Sequence, residues 1–370
     1  MTEGEGTPFN YIHKLLNYGY VVSKNSKTRS SIRWSADEKQ MYFKGRRLEI
    51  QEWKRFVHSL LQSAEEVMSR ELLFRRDDLI PNVNLNNIVE DPCREDAEYY
   101  FMLENAEAMK TGRRMLLSNM KKTEAWNRFV KIERGKILYA EEQVNEYEHK
   151  VMEFLELLCC LCIMTCGQSG RGTEITSLQY KNTMSTIRGI LVEDGQIMLV
   201  TEYHKSQAVT DQVLTGLKKH ALTKQVKIIP RFLPHRVSQL IATYLLYVLP
   251  FRQMISPETT RHPFLFGDQK GPWNGGRIGN ILAKESHRRI GFRMTLRDYR
   301  QISIAMDRKF IREYDFDDLD EDDDDDEEEG LDTAHDLIAG ICLEYSFNVK
   351  DIRRIQRRIN MHDYLDCFDD

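Results

Sequence analysis

Between Gly167 and Leu178 the hydrophobic pattern of this chain changes its period. Before that stretch, Val151 to Cys166 is an apolar run of helical spacing; after it, apolar and polar residues alternate as they do in a sheet. The change predicts a mainly α fold with a small antiparallel β-sheet, of the α+β class. The joining segment, GQSGRGTEITSL, sets three glycines (Gly167, Gly170, Gly172) around Arg171, with Glu174 three residues further on. Glycines let backbone turn tightly and come close to a ligand. An arginine held there offers a planar donor fork suited to phosphate, and Glu174 can hold it by an i,i+3 contact. Arg171 is therefore expected to be a fixed phosphate-binding residue. The plainer reading is an ion pair at the start of a helix.

Around this centre the pattern predicts a helix at 9–20, a hairpin at 31–50 and a strongly amphipathic helix at 51–74. Two prolines and four asparagines mark 77–98 as a loop. Helices are expected at 99–120 and 136–166, and again at 235–249 (ending at Pro250), 277–289 and 294–312. Between them 190–203 reads as a hairpin turning at EDG, and 227–234 as a third extended segment. The expected organisation is a helical N-terminal domain at 1–145 and a second domain at 146–312. An acidic disordered tract follows at 313–330, then a diverged segment at 331–370.

The formal net charge of −5 hides an uneven distribution, because residues 313–329 hold 14 acids and no Lys or Arg. The remainder has 44 acids against 53 bases, a net of +9, as suits a protein that binds a polyanion, though an ordinary solvated surface could also carry it. Lys110 to Arg134 interleaves bases with aromatics, and Arg113, Arg114, Lys121, Lys122, Trp126 and Arg128 are candidate DNA contacts. The plainer reading there is the solvated face of an amphipathic helix. Cys159, Cys160, Cys162 and Cys166 lie in an apolar run with no neighbouring histidine, so they are expected as buried free thiols rather than metal ligands. No phosphate-binding loop for a nucleotide occurs, and no apolar run reaches the ~18–20 residues of a membrane span. The N-terminal residues lack a basic-then-apolar signal pattern, which points to a cytosolic or nuclear protein.

Arg171 with Glu174, Lys205 at the end of a hairpin, Arg297 and Arg300 on one helix, then His335 and Tyr345 follow in an order that resembles the tyrosine recombinases. GQSGRGTEITSL, VTEYHKSQ and MTLRDYRQISIAM look more narrowly like a fungal, Crypton-related recombinase domain of the kind found upstream of RecQ-type helicase modules. The resemblance runs from about residue 8 to residue 340. It implies a nuclear protein that binds double-stranded DNA, acts as a homo-oligomer on it, and cleaves and rejoins strands with no cofactor. On that pattern Arg171 and Arg300 clamp the scissile phosphate, Lys205 is the acid beside His204, and Tyr345 is the nucleophile. Arg297 stands where the family more often has histidine; it can donate to phosphate but is a poor base.

The end of the chain departs from the family. His335 to Tyr345 gives a spacing of ten residues, where related enzymes close with Gly-His and a tyrosine about nine later. In a competing alignment DLIAG (336–340) matches the segment before the histidine, and Ile341 takes the histidine's place. After Gly340 the resemblance stops, as in a truncated, decayed or mis-spliced copy. Two further expectations stand beside the enzyme: a non-catalytic DNA-binding remnant, and a protein-interaction module acting through the acidic tract.

Overall fold

The computed structural model describes residues 32–76, 79–123, 125–134, 136–167, 170–203 and 227–310. Helices and small antiparallel sheets make up the described residues, the α+β class that the change of period predicts. Two compact units are present, Met1–Glu52 and Trp53–Asp370. The helix expected at 9–20 and the acidic tract lie outside the described residues.

In the first unit β1 (Ile32–Trp34), β2 (Gln40–Phe43) and β3 (Arg46–Glu49) form an antiparallel meander. The hairpin expected at 31–50 is present, and Arg46–Glu49 adds a third strand to it. The register sets Ile32 opposite Phe43 and Met41 opposite Leu48, so alternation gathers these four side chains on one buried face.

α1 (Ile50–Glu66) carries the chain from the first unit into the second, buries Trp53, Phe56, Val57, Leu60 and Leu61 at helical spacing and runs on through a π-turn at Val67–Leu72. The expected loop holds a single 3-10 turn, Leu85–Asn87, among its described residues. Next come α2 (Ala106–Lys122) and α3 (Ala125–Phe129), which leads directly into the hairpin of β4 (Val130–Glu133) and β5 (Lys136–Tyr139). That hairpin corrects the helix expected across 136–166, which begins only at Glu141. Over so short a segment, bases alternating with apolar residues satisfy a strand as readily as a helix.

The helix that does form, α4 (Glu141–Thr165), is the hub of the unit. Leu157 to Thr165 are buried without interruption, the mark of a helix covered on every side. Its neighbours include the π-turn, α3 and two later helices. The four cysteines are buried free thiols, and burial pushes those of Cys159, Cys160 and Cys162 up, so they are poor nucleophiles. Gly167, at φ 85, takes the left-handed conformation that lets the chain leave this helix.

Beyond it lie α5 (Gly172–Thr176) and the sheet of β6 (Ile190–Glu193), β7 (Gln196–Tyr203) and β8 (Lys227–Phe232), antiparallel in that order. The outer position of β8 tolerates Pro230, which cannot donate to the ladder. Then α6 (His235–Thr243) passes through a π-turn at Tyr244–Val248 into α7 (Leu249–Ile255). Pro250 does not end the helix. The π-turn shifts the hydrogen-bond ladder, so the proline occupies a first-turn position where its missing N–H is not needed. A minimal hairpin, β9 (Gly267–Asp268) and β10 (Gly271–Pro272), precedes α8 (Gly275–Ile290) and α9 (Leu296–Phe310). Among the described residues no helix is long and apolar enough to cross a membrane.

Candidate functional site

Three helix starts converge at Gly172. A side-chain carbon placed on this residue would lie 2.9 Å from the Cα of Gly275 and 3.6 Å from Cδ2 of Leu296. Gly172, Gly275 and Leu296 are the first residues of α5, α8 and α9. Only backbone fits between the first two, and this close approach sets Arg171, the residue preceding α5, near the start of α9.

The position of α9 is fixed from the core. Tyr299 donates its hydroxyl proton to the Met164 carbonyl at the end of α4, at 3.1 Å, and its ring stacks on Trp53 with centroids 6.0 Å apart. Thr295 and Asp298 cap the helix reciprocally: Asp298 accepts from the Thr295 backbone N–H at 3.1 Å, and Thr295 Oγ1 accepts from Asp298 N–H at 3.3 Å. On either side of the buried Asp298 and Tyr299, Arg297 and Arg300 are exposed. Neither guanidinium enters an ion pair among the described residues.

Arg171 is held through Glu174, whose Oε2 accepts the Arg171 backbone N–H at 3.1 Å while its Oε1 lies 4.0 Å from Arg171 Nε. The Glu174 side chain is 9% exposed and that of Arg171 is 42% exposed, so the carboxylate is in the wall and the guanidinium at the opening. From the inner side Arg231 of β8 approaches Glu174 Oε2 to 3.8 Å and donates to the hydroxyl of Thr201 on β7. The sheet thus steadies the carboxylate that steadies Arg171. Arg231 was not among the expected site residues. Its one sequence signal is a charge set among the apolar residues Ile228, Ile229, Pro230 and Phe232, which demands a buried partner.

Of the expected site, Arg171 and Glu174 are brought to the end of the helix that carries Arg297 and Arg300. His204, Lys205, His335 and Tyr345 lie outside the described residues; the ladder of β7 and β8 ends at Tyr203 opposite Lys227, immediately before His204. The expected DNA contacts form a second group. Arg113, Arg114, Lys121 and Lys122 are on α2, and Trp126 and Arg128 on α3. Arg114, Lys121, Lys122 and Arg128 are exposed, Trp126 is half-buried, and Lys121 Nζ stands 5.6 Å from the Trp126 ring centroid.

A cleft of about 450 Å³ opens beside the start of α8, between Glu156, Asn274, Arg277 and Lys284. Its cations are already committed: Arg277 pairs with Asp268 at 2.9 Å and Lys284 with Glu156 at 3.2 Å. Among the described residues no group of His, Cys, Asp and Glu could hold a metal ion. What the first site offers chemically is exposed guanidinium at neighbouring helix starts, with the positive end of α9 beside it, an arrangement that favours an oxyanion. No protein-family model, curated protein or solved structure matches the chain.

Proposed function

We propose that this chain binds duplex DNA by clamping a backbone phosphate between Arg171 and Arg300, with Arg297 beside them, on the plan of a tyrosine recombinase. The observation that carries the reading is the contact of Gly172 with Gly275 and Leu296, which draws the Arg171 segment to the head of α9. The Arg231–Glu174–Arg171 relay supports it, because a preorganised donor stabilises developing charge better than a mobile one.

The reaction on this plan is transesterification. The Tyr345 oxygen gives up its proton to solvent water and attacks phosphorus, the bond to the 5′ oxygen breaks, and a 3′-phosphotyrosine forms. Lys205 gives its proton to the departing 5′ oxygen, and the two arginines neutralise the non-bridging oxygens of the five-coordinate transition state. The chain then rejoins strands by the reverse steps, in the nucleus and as an oligomer on its DNA.

Incubating the protein with a nicked duplex that traps the covalent product tests this. An adduct resistant to denaturation is expected, absent in Tyr345→Phe. Arg171→Ala and Arg300→Ala should each weaken duplex binding by about ten- to a hundredfold, since a hydrogen bond to a charged group contributes roughly 1.5–3 kcal/mol. Binding without an adduct removes the chemistry and leaves a DNA-binding protein; arginine variants that bind as the parent does remove the clamp.

A further inference from the structure

We propose that the β4–β5 hairpin is a DNA-reading arm, its tip entering the major groove of duplex DNA. The inference rests on the reading of this chain as a DNA-binding protein and adds a surface that neither the clamp nor the α2–α3 residues supply.

The base of the hairpin is anchored. Phe129, the last residue of α3, sits in a cluster with Phe74, Tyr147 and Phe251, with ring centroids 5.2–6.3 Å apart. Val130 beside it is buried, and Ala140 N–H donates to the Phe129 carbonyl at 2.8 Å, closing the neck. From there, among the described residues, the two strands pair with each other alone.

The register sets Val130 opposite Tyr139 and Ile132 opposite Ile137. These four residues share one face, which starts buried at Val130 and ends with Ile132 at 71% and Ile137 at 54% exposure. Two isoleucines facing each other in water on a stem anchored at its base are an unsatisfied apolar surface.

The surroundings select the occupant. Residues 110–139 contain nine Lys and Arg against Glu124 and Glu133 alone, a local net of +7. Lys131 is exposed next to Ile132, and Arg134 is exposed just beyond the end of β4, with φ 51. A protein partner for an apolar tip would not call for such a collar; a polyanion would. The major groove of B-DNA admits a two-stranded ribbon, and aliphatic side chains there meet thymine methyl groups while cations reach the flanking phosphates.

The test is anisotropy titration of a short fluorescein-labelled mixed-sequence duplex across a salt series, with melting curves for every variant. Ile132→Ser with Ile137→Ser should lower affinity about tenfold at fixed salt and leave the salt slope unchanged. Lys131→Gln with Arg134→Gln should reduce the slope by about two. Because all four side chains are exposed, melting should not move. If the isoleucine variant binds like the parent protein, the arm is overturned and the clamp reading survives. A parent protein that fails to bind overturns the DNA reading and the arm with it. A variant whose DNA affinity is intact but which turns from dimer to monomer in sedimentation assigns the face to a second copy of this chain.

Discussion

Arg188 and Glu90 form a pair with almost no solvent contact, their side chains 0% and 4% exposed. The guanidinium donates to Glu90, to the Asp91 carbonyl at 2.6 Å and to Asn182 Oδ1 at 3.1 Å, and stacks on Tyr99 at 4.5 Å. Burial pushes the Glu90 carboxyl up to about 7, with Arg188 opposing the shift. Between its ordinary value of 4.5 and about 7 the folded chain holds a proton that the unfolded chain has released. Stability from this group therefore falls as pH rises through that window. Arg188→Met should cost about 3–5 kcal/mol near pH 8, where the carboxylate is left buried and unpaired. Near pH 5 protonation relieves that charge, so the loss should be smaller, as urea unfolding at the two pH values would record. Equal losses would locate the effect in the hydrogen bonds to Asp91 and Asn182 instead. At the same scale, Arg171 and Glu174 were legible because an ion pair three residues apart is a local event. Arg231 was not, because its partners Glu174 and Thr201 come from other parts of the chain.

Among elements, the contact between α5 and α8 is the most exacting. Replacing Gly172 by alanine puts a carbon 2.9 Å from the Gly275 Cα, and backbone cannot yield as a flexible side chain can. Gly172→Ala should destabilise the fold by about 1–3 kcal/mol and, on the proposed function, weaken DNA binding as well, since it separates Arg171 from the head of α9. Urea midpoints and anisotropy report the two effects, and an unchanged midpoint would mean that the helix starts are free to part. Long periodic segments such as α1, α4, α8 and α9 were readable, because many residues vote on one period. The β4–β5 hairpin was not. Its strands are four residues each, and pairing across a turn rather than propensity decides them. Pro250 misled for a related reason: whether a proline stops a helix depends on the ladder before it, and here a π-turn had already shifted that ladder.

For the whole molecule, charge is the property that would govern the DNA binding of the proposed function. With residues 313–329 the formal net charge is −5, and without them +9. Deleting the tract should speed association with duplex DNA several-fold at low salt, a gain that shrinks toward nothing near 1 M, where screening reaches within about 3 Å. Stopped-flow anisotropy measures this, and equal rates at low salt would show that the tract does not shield the basic body. Composition, period and local ion pairing are properties of neighbours along the chain. Thus the α+β class, most element positions, the basic body, the buried cysteines and the Arg171–Glu174 pair were all determined by sequence alone. Which helix starts touch, which buried arginine backs Glu174, and which apolar pair is left facing solvent on a basic stem depend on residues far apart in sequence. Only tertiary packing, by choosing what is buried against what, could decide them.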